Sequence, residues 1–206
     1  MSRSSPATVA TFAAVGALVL GAAGCGSSSS SSSSPGAGAA KPVNPNAPEA
    51  RTPGDIPDNQ AYVSYTPPGA RFSVKVPEGW ARTAVAGATV FTDKFNSIRI
   101  ESAARPAPLT LREAQRTEVA KLARSEPAFT PGTVSAVTRP AGKAIRITYL
   151  RNSPPDPVTG KRVRAAVERY VFFHGGRAVV LTLTGAKGAD NVDPWRIVTS
   201  SLRFTP

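Results

Sequence analysis

The sequence predicts an α+β domain, a mainly antiparallel sheet with helices on both faces. Three observations lead there. Apolar/polar alternation recurs in segments separated by short turn signals, which marks consecutive hairpin-linked strands. Two segments carry helical spacing with start signals, one in the middle of the chain and one at its end. The runs "YVFF" and "VVL" are apolar at consecutive positions, so the central strands need a covering layer on each side.

The elements follow in order. In "RFSVKVPEGW", Phe72, Val74 and Val76 point one way and Ser73 and Lys75 the other. This is a half-buried strand, stopped by Pro77 and Gly79. "TVFTDKF" and "SIRIESA" read as two strands with Asn96-Ser97 as the turn. Ile98 and Ile100 share one face of the second, with Arg99 and Glu101 opposite. "LTLREAQRTEVAKLARSEP" is a helix opened by the capping-box pair Thr110 and Glu113 and closed before Pro127. Leu111, Val119 and Leu122 form its apolar stripe. The stripe is narrow, so this helix covers only one edge of a sheet. "GTVSAVTRPAGKAIRITYLRN" gives two strands turning at Pro140-Ala141-Gly142. "KRVRAAVERYVFFHGGRAVVLTLTG" gives a long hairpin turning at Gly175-Gly176. Its charged start, Lys161 to Arg164, projects beyond the covered zone. "NVDPWRIVTSSLRF" is a closing helix with Asp193 as N-cap, Pro194 at the first helical position, a Val192–Ile197 staple, and Trp195, Val198 and Leu202 as its buried stripe.

Residues 61–206 are read as one domain, long enough to bury roughly two-thirds of its unfolded surface. What precedes it has a different composition. Arg3 is the only charged side chain among residues 1–24. A basic start, the apolar run "TFAAVGALVL" and a small-residue end mark residues 1–24 as a secretory signal peptide. The run is too short and too rich in alanine and glycine for a membrane-spanning helix, which needs roughly 20 strongly apolar residues. The sole cysteine, Cys25, stands directly after it.

Ala22-Ala23-Gly24-Cys25 resembles the lipobox of bacterial lipoproteins, with Ala22 where leucine is usual. That resemblance implies a diacylglyceryl thioether on Cys25 and cleavage just before it; ordinary cleavage after Gly24, releasing the protein, is the alternative. Two acyl chains anchor a protein stably where one does not. Eight serines, Ser27 to Ser34, then lead into Ser/Gly/Ala/Pro-rich sequence up to residue 60. Such composition buries too little apolar surface to offset chain entropy. Residues 25–60 are therefore expected to be a tether, with an average span of roughly 30–35 Å and a limit of roughly 115 Å at full stretch. The expected location is the extracytoplasmic face of a cell membrane.

Once Cys25 carries lipid no thiol remains for a disulfide or a metal site. His174 is the only histidine and follows Phe173 at a hairpin turn. A catalytic triad or a zinc site would need partners at set spacing, and no Gly-x-Ser-x-Gly or His-Glu-x-x-His occurs. Gly142-Lys143 and Gly160-Lys161 lack the upstream glycine of a phosphate loop. Asp190 and Asp193 suit a helix start better than acid/base chemistry. Trp80 reads as core. No cofactor or metal is expected.

Basic charge is the positive lead. The chain has a formal net charge of +12 and a pI near 10.7. Between residues 110 and 180 there are 13 Lys/Arg against 5 Asp/Glu. Arg151, Lys161, Arg162 and Arg164 flank the proline-bearing loop "NSPPDPVTG", and strand pairing would gather them at one hairpin end. Arginine forks suit phosphate and carboxylate. Outside a membrane the polyanions are lipid head groups and anionic wall polymers, and nucleic acid is not the expected partner. The plain alternative is a solvated basic surface.

The pieces "FSVKVPEGW", "LTLREA", "YVFFHGGRAVVLTLTG" and "WRIVTSSLRF" resemble, in order, the PsbP-like fold, a family that also includes Ran-binding Mog-type proteins and many bacterial lipoproteins. The resemblance covers about residues 61–206 and rests on packing motifs. It implies an α/β/α sandwich around an antiparallel sheet, no shared active site, and relatives that act in binding or assembly. The expected function is a monomeric, non-catalytic binding or assembly module for an envelope component: a lipid head group, a wall polymer or a membrane protein. An envelope hydrolase or lipid-modifying enzyme with an unrecognised site is the alternative.

Overall fold

The computed structural model describes residues 54–155 and 159–205. Residues 1–53, on which the expected signal peptide, the expected lipidation at Cys25 and most of the expected tether fall, lie outside the described residues.

Ten strands and two helical segments are described. Strands β3 (Ala81–Val85), β4 (Ala88–Asp93), β5 (Asn96–Ala104), β6 (Thr130–Arg139), β7 (Gly142–Asn152), β8 (Arg164–His174) and β9 (Arg177–Ala186) form one sheet of order β3-β4-β5-β9-β8-β7-β6. Every pairing in it is antiparallel. A smaller sheet, β1-β2-β10, joins β1 (Tyr62–Tyr65), β2 (Phe72–Pro77) and β10 (Arg203–Phe204).

Period-two alternation sorts the large sheet into two faces. Ile98 and Ile100 on β5, Tyr170 and Phe172 on β8, and Leu181 and Leu183 on β9 meet β2 and the closing helix (Val192–Ser200) in one core. Ile145 and Ile147 on β7 and Val167 and Val171 on β8 meet the first helix, through Ala114 and Leu122, in the other. Both faces are thus covered where "YVFF" pairs with the following strand, as consecutive apolar positions require. Tyr170 and Phe172 stack with centroids 6.4 Å apart.

The first helix departs from a regular stripe. It runs as α-helix over Leu111–Glu113, as a π turn over Ala114–Glu118, and as α-helix again over Val119–Ser125. Thr110 caps it by accepting the Glu113 backbone N–H at 3.2 Å. Glu113 does not return the favour; its carboxylate takes Arg105 instead. A π turn holds one residue more than an α turn. That extra residue rotates the phase, so Ala114 and Leu122 both reach the sheet while Leu111 is left exposed. The stripe is Ala114, Val119 and Leu122, without Leu111.

Two boundaries also shift. The turn between β4 and β5 is Lys94-Phe95, with Lys94 at φ 50, two residues before the expected Asn96-Ser97. Asn96 is drawn into the sheet because its side chain is buried and bonded. The closing helix begins at Val192 with Asn191 at the N-cap, so Asp193 is not the cap. Asn191 caps through its carbonyl, which accepts the Trp195 N–H at 3.0 Å. Pro194 falls inside the first turn, where its missing N–H is not needed. Val192 and Ile197 are exposed and form no staple.

The Asn191 side chain is engaged elsewhere. Its Oδ1 accepts the Ile56 N–H at 2.8 Å, and its Nδ2 donates to Asn96 Oδ1 at 3.0 Å and to the Gly54 carbonyl at 3.1 Å. Asn96 Nδ2 donates to the same carbonyl at 2.9 Å. Ile56 is buried, so packed residues occur ahead of residue 61.

Buried phenols give a test on the alkaline side. Burial pushes the Tyr170 hydroxyl up to about 12, and its bond to Glu168 and that carboxylate's charge add to this. Tyr149 is pushed up likewise, by burial and then by the Glu126 charge. A raised phenol contributes stability that is intact below its ordinary value of 10 and is lost as pH rises through the folded value. Denaturant midpoints are therefore expected to hold steady to about pH 10 and fall towards about pH 12, while near-ultraviolet absorbance shows phenolate appearing with unfolding. A flat midpoint across this window would contradict the burial of these rings.

Candidate functional site

The narrow stripe of the first helix has a consequence. The helix covers the sheet over Ile145, Ile147, Val167 and Val171 and leaves the neighbouring part of that face uncovered. There a cleft of about 430 Å³ lies between the helix and strands β5, β7, β8 and β9.

Strand register builds its floor. Arg99 on β5 is opposite Thr182 on β9, and Thr182 is opposite Arg169 on β8. These three side chains stand in one row across three strands. The next row holds Ser97, Thr184, Val167 and Tyr149. Where the helix sits these rows are apolar; where it does not they are charged and hydroxylic. Glu118, Lys121, Ser125 and Glu126 line the helix side of the cleft.

Ion pairs order the floor. Arg99 and Arg169 both donate to Glu101, each at 3.1 Å and each to a different carboxylate oxygen. Arg169 also donates to Thr182 Oγ1 at 2.8 Å. Burial works to raise the Glu101 carboxyl, but the hydrogen bonds and charges of the two arginines outweigh it and hold it below its ordinary value. On the β7 side Arg151 donates to Glu126 Oε2 at 3.1 Å and Tyr149 donates to Glu126 Oε1 at 3.3 Å. Glu126 terminates the first helix, so this cluster pins the helix end to the sheet. The Nε–H groups of Arg151 and Arg169 are buried without an acceptor.

One carboxylate therefore serves two guanidiniums on the floor. The Arg99 and Arg169 side chains are only 36% and 19% exposed, so solvent screens their mutual repulsion incompletely. A second anionic group would complete the set. Such pairs are the strong kind, charge-assisted and able to be bidentate.

The four basic residues named from the sequence do lie at one hairpin end, since Arg151 pairs in register with Ala165 and Asn152 with Arg164. Folding assigns them different work. Arg151 lines the cleft. Lys161 lines a second groove beside it. Arg162 donates to the Ser153 carbonyl at 3.0 Å, and Arg164 donates to the Ala128 carbonyl and to Asn152 and Thr130. The last two brace the loop. His174 stacks on Phe204 with centroids 4.6 Å apart, and Trp80 packs against the core. Asp193 pairs with Arg196 on the surface. Among the described residues no group of three or more His, Cys, Asp or Glu could hold a metal ion, and no helix is long and apolar enough to cross a membrane.

Arg169, Thr182 and Thr184 were not singled out from the sequence. Their signal is the polar position within an apolar strand: Arg169 between Val167 and Val171, and the two threonines in "VVLTLTG". Alternation places all three on the face that the first helix partly covers.

No family model and no curated protein matches the chain. Solved structures do. The solution structure of cyanobacterial PsbP from Synechocystis is similar with a TM-score of 0.51 at 15% identity, over 70% of this chain and 93% of that one. A crystal structure from Bacteroides thetaiotaomicron gives 0.50 at 16% identity over 69% of this chain; the match spans 48% of that longer chain, about half its length. The Ran-binding protein Mog1p of Saccharomyces cerevisiae gives 0.47 at 11% identity, over 70% of this chain and 96% of that one. The fold is PsbP-like.

Proposed function

We propose that this chain is a lipid-anchored, extracytoplasmic, non-catalytic binding module that holds an anionic group of an envelope component in the cleft beside the first helix. The observation that carries this reading is the shared carboxylate: Arg99 and Arg169 both rely on Glu101 at the floor of a cleft open to solvent. Arg151 adds a third guanidinium at the rim. The signal-like start, Cys25 and the serine-rich tether support an envelope location.

Glycerol phosphate is the probe, because it carries the head-group chemistry common to anionic phospholipids and phosphate-bearing wall polymers. Titration of the native chain is expected to show saturable binding. Arg169→Gln should weaken it roughly ten- to a hundredfold, the worth of a hydrogen bond to a charged group. Arg162→Gln, which alters only a loop brace, should leave it nearly unchanged. Circular dichroism on both variants verifies the fold. Equal binding by the native and Arg169→Gln proteins would overturn the assignment of the cleft.

A further inference from the structure

The cleft does not end at Arg151. A groove of about 410 Å³ continues from it, and the two share Val90, Ser97, Arg151 and Thr184 as common walls. Their linings differ in kind. The cleft is lined by arginines, glutamates and hydroxyls. The groove is walled by Phe95, Pro154, Pro155, Val163 and Ala165, with Lys94 and Lys161 among its lining. Phe95 is 44% exposed at the tip of the β4–β5 turn, next to Lys94 in the left-handed region, a backbone state that costs a residue with a Cβ roughly 1–2 kcal/mol. The turn displays an aromatic ring that the fold itself does not bury.

We infer that the cleft and the groove are one site for a single-chain anionic amphiphile, its head group on Arg99, Arg151 and Arg169 and its alkyl chain along Phe95, Pro154, Pro155 and Val163. The inference rests on the proposed binding role of the cleft and adds the class of ligand. Either cavity alone falls within the range of small-molecule sites, and together they present a charged compartment followed by an apolar one, the order of chemistry along such a molecule. A soluble anion would leave the groove empty, and a neutral apolar molecule would leave Arg99 and Arg169 to share the one carboxylate of Glu101. Placement supports the same ligand. Asn96 lines the groove and also donates to the Gly54 carbonyl. Gly54 therefore sits at the sheet end where the groove lies.

The test uses the unacylated chain from residue 25 onward carrying Cys25→Ser, titrated calorimetrically with dodecyl phosphate, octyl phosphate, glycerol phosphate and dodecyl maltoside, all below their micelle concentrations. Affinity is expected to rise roughly two- to fourfold per methylene, so dodecyl phosphate binds at least about tenfold tighter than octyl phosphate. Phe95→Ala, a change at an exposed turn, should flatten that dependence while leaving glycerol phosphate binding unaltered. Equal affinity for all three phosphates would overturn the amphiphile inference and leave the anion site standing. Dodecyl maltoside binding as tightly as dodecyl phosphate would overturn the anion site. Binding of none of them would overturn both.

Discussion

Phe172→Ala is expected to destabilise the domain by about 3–5 kcal/mol, the usual cost of truncating a fully buried phenylalanine. Phe172 is wholly inaccessible and sits on the interior strand β8, stacked on Tyr170 and packed with Leu181 and Leu183 beneath the closing helix. Its cross-strand neighbours are Ala144 on β7 and Val179 on β9. Neither is large enough to fill the space a missing ring would leave. The loss therefore combines transfer energy and a persistent cavity. Urea denaturation checks it, read as a lowered midpoint with an unchanged slope. A cost below about 1 kcal/mol would mean that the core collapses around the gap, and the central position of this ring would be wrong.

Gly185→Ala is expected to cost about 2–4 kcal/mol, as buried polar groups lose their partners. A Cβ there would stand 2.6 Å from Asn191 Nδ2, 3.0 Å from Asn96 Oδ1 and 3.2 Å from Trp195 Cζ2. The two amides would have to separate. Their bond to each other would break, as would the bonds that hold Gly54 and Ile56. Residues 54–60 should then become a site of early proteolysis, because the amide network ties Gly54 and Ile56 to Asn96 and Asn191. A double-mutant cycle isolates the cause. Asn191→Ala removes the clashing amide, so Gly185→Ala should cost less in that background than in the native one. Strict additivity would show that the network is not what the glycine protects.

The sheet strands with clean alternation were legible before folding, and so were both helices, because burial on one face imposes a period that composition displays. β2, β5 and the β8–β9 hairpin fall where their apolar positions put them. β3 was not legible: all five of its residues are exposed, so no face imposes a pattern on "ARTAV". β1 and β10 were missed for a related reason. β10 is two residues long and exists only because β2 pairs with it. The N-cap at Asn191 was misplaced because local spacing favours Asp193, while a tertiary network anchors Asn191.

The site divides the same way. Cys25, the serine run and the excess of arginine are properties of the chain's order and need no fold to be read. Period and composition alone likewise dictated a mainly antiparallel sheet with two helices; that strand β2 shares one covering layer with the closing helix was not readable from them. The cleft is a product of tertiary structure. Arg99, Thr182 and Arg169 are scattered along the chain, and only the register of β5, β9 and β8 lines them up. Arg151 and Arg162 look alike in sequence, yet one faces the cleft and the other closes a loop. The physical reason is range. Periodicity records what each residue does to its near neighbours, whereas a binding site is made of distances between strands, and those are settled only when the core packs.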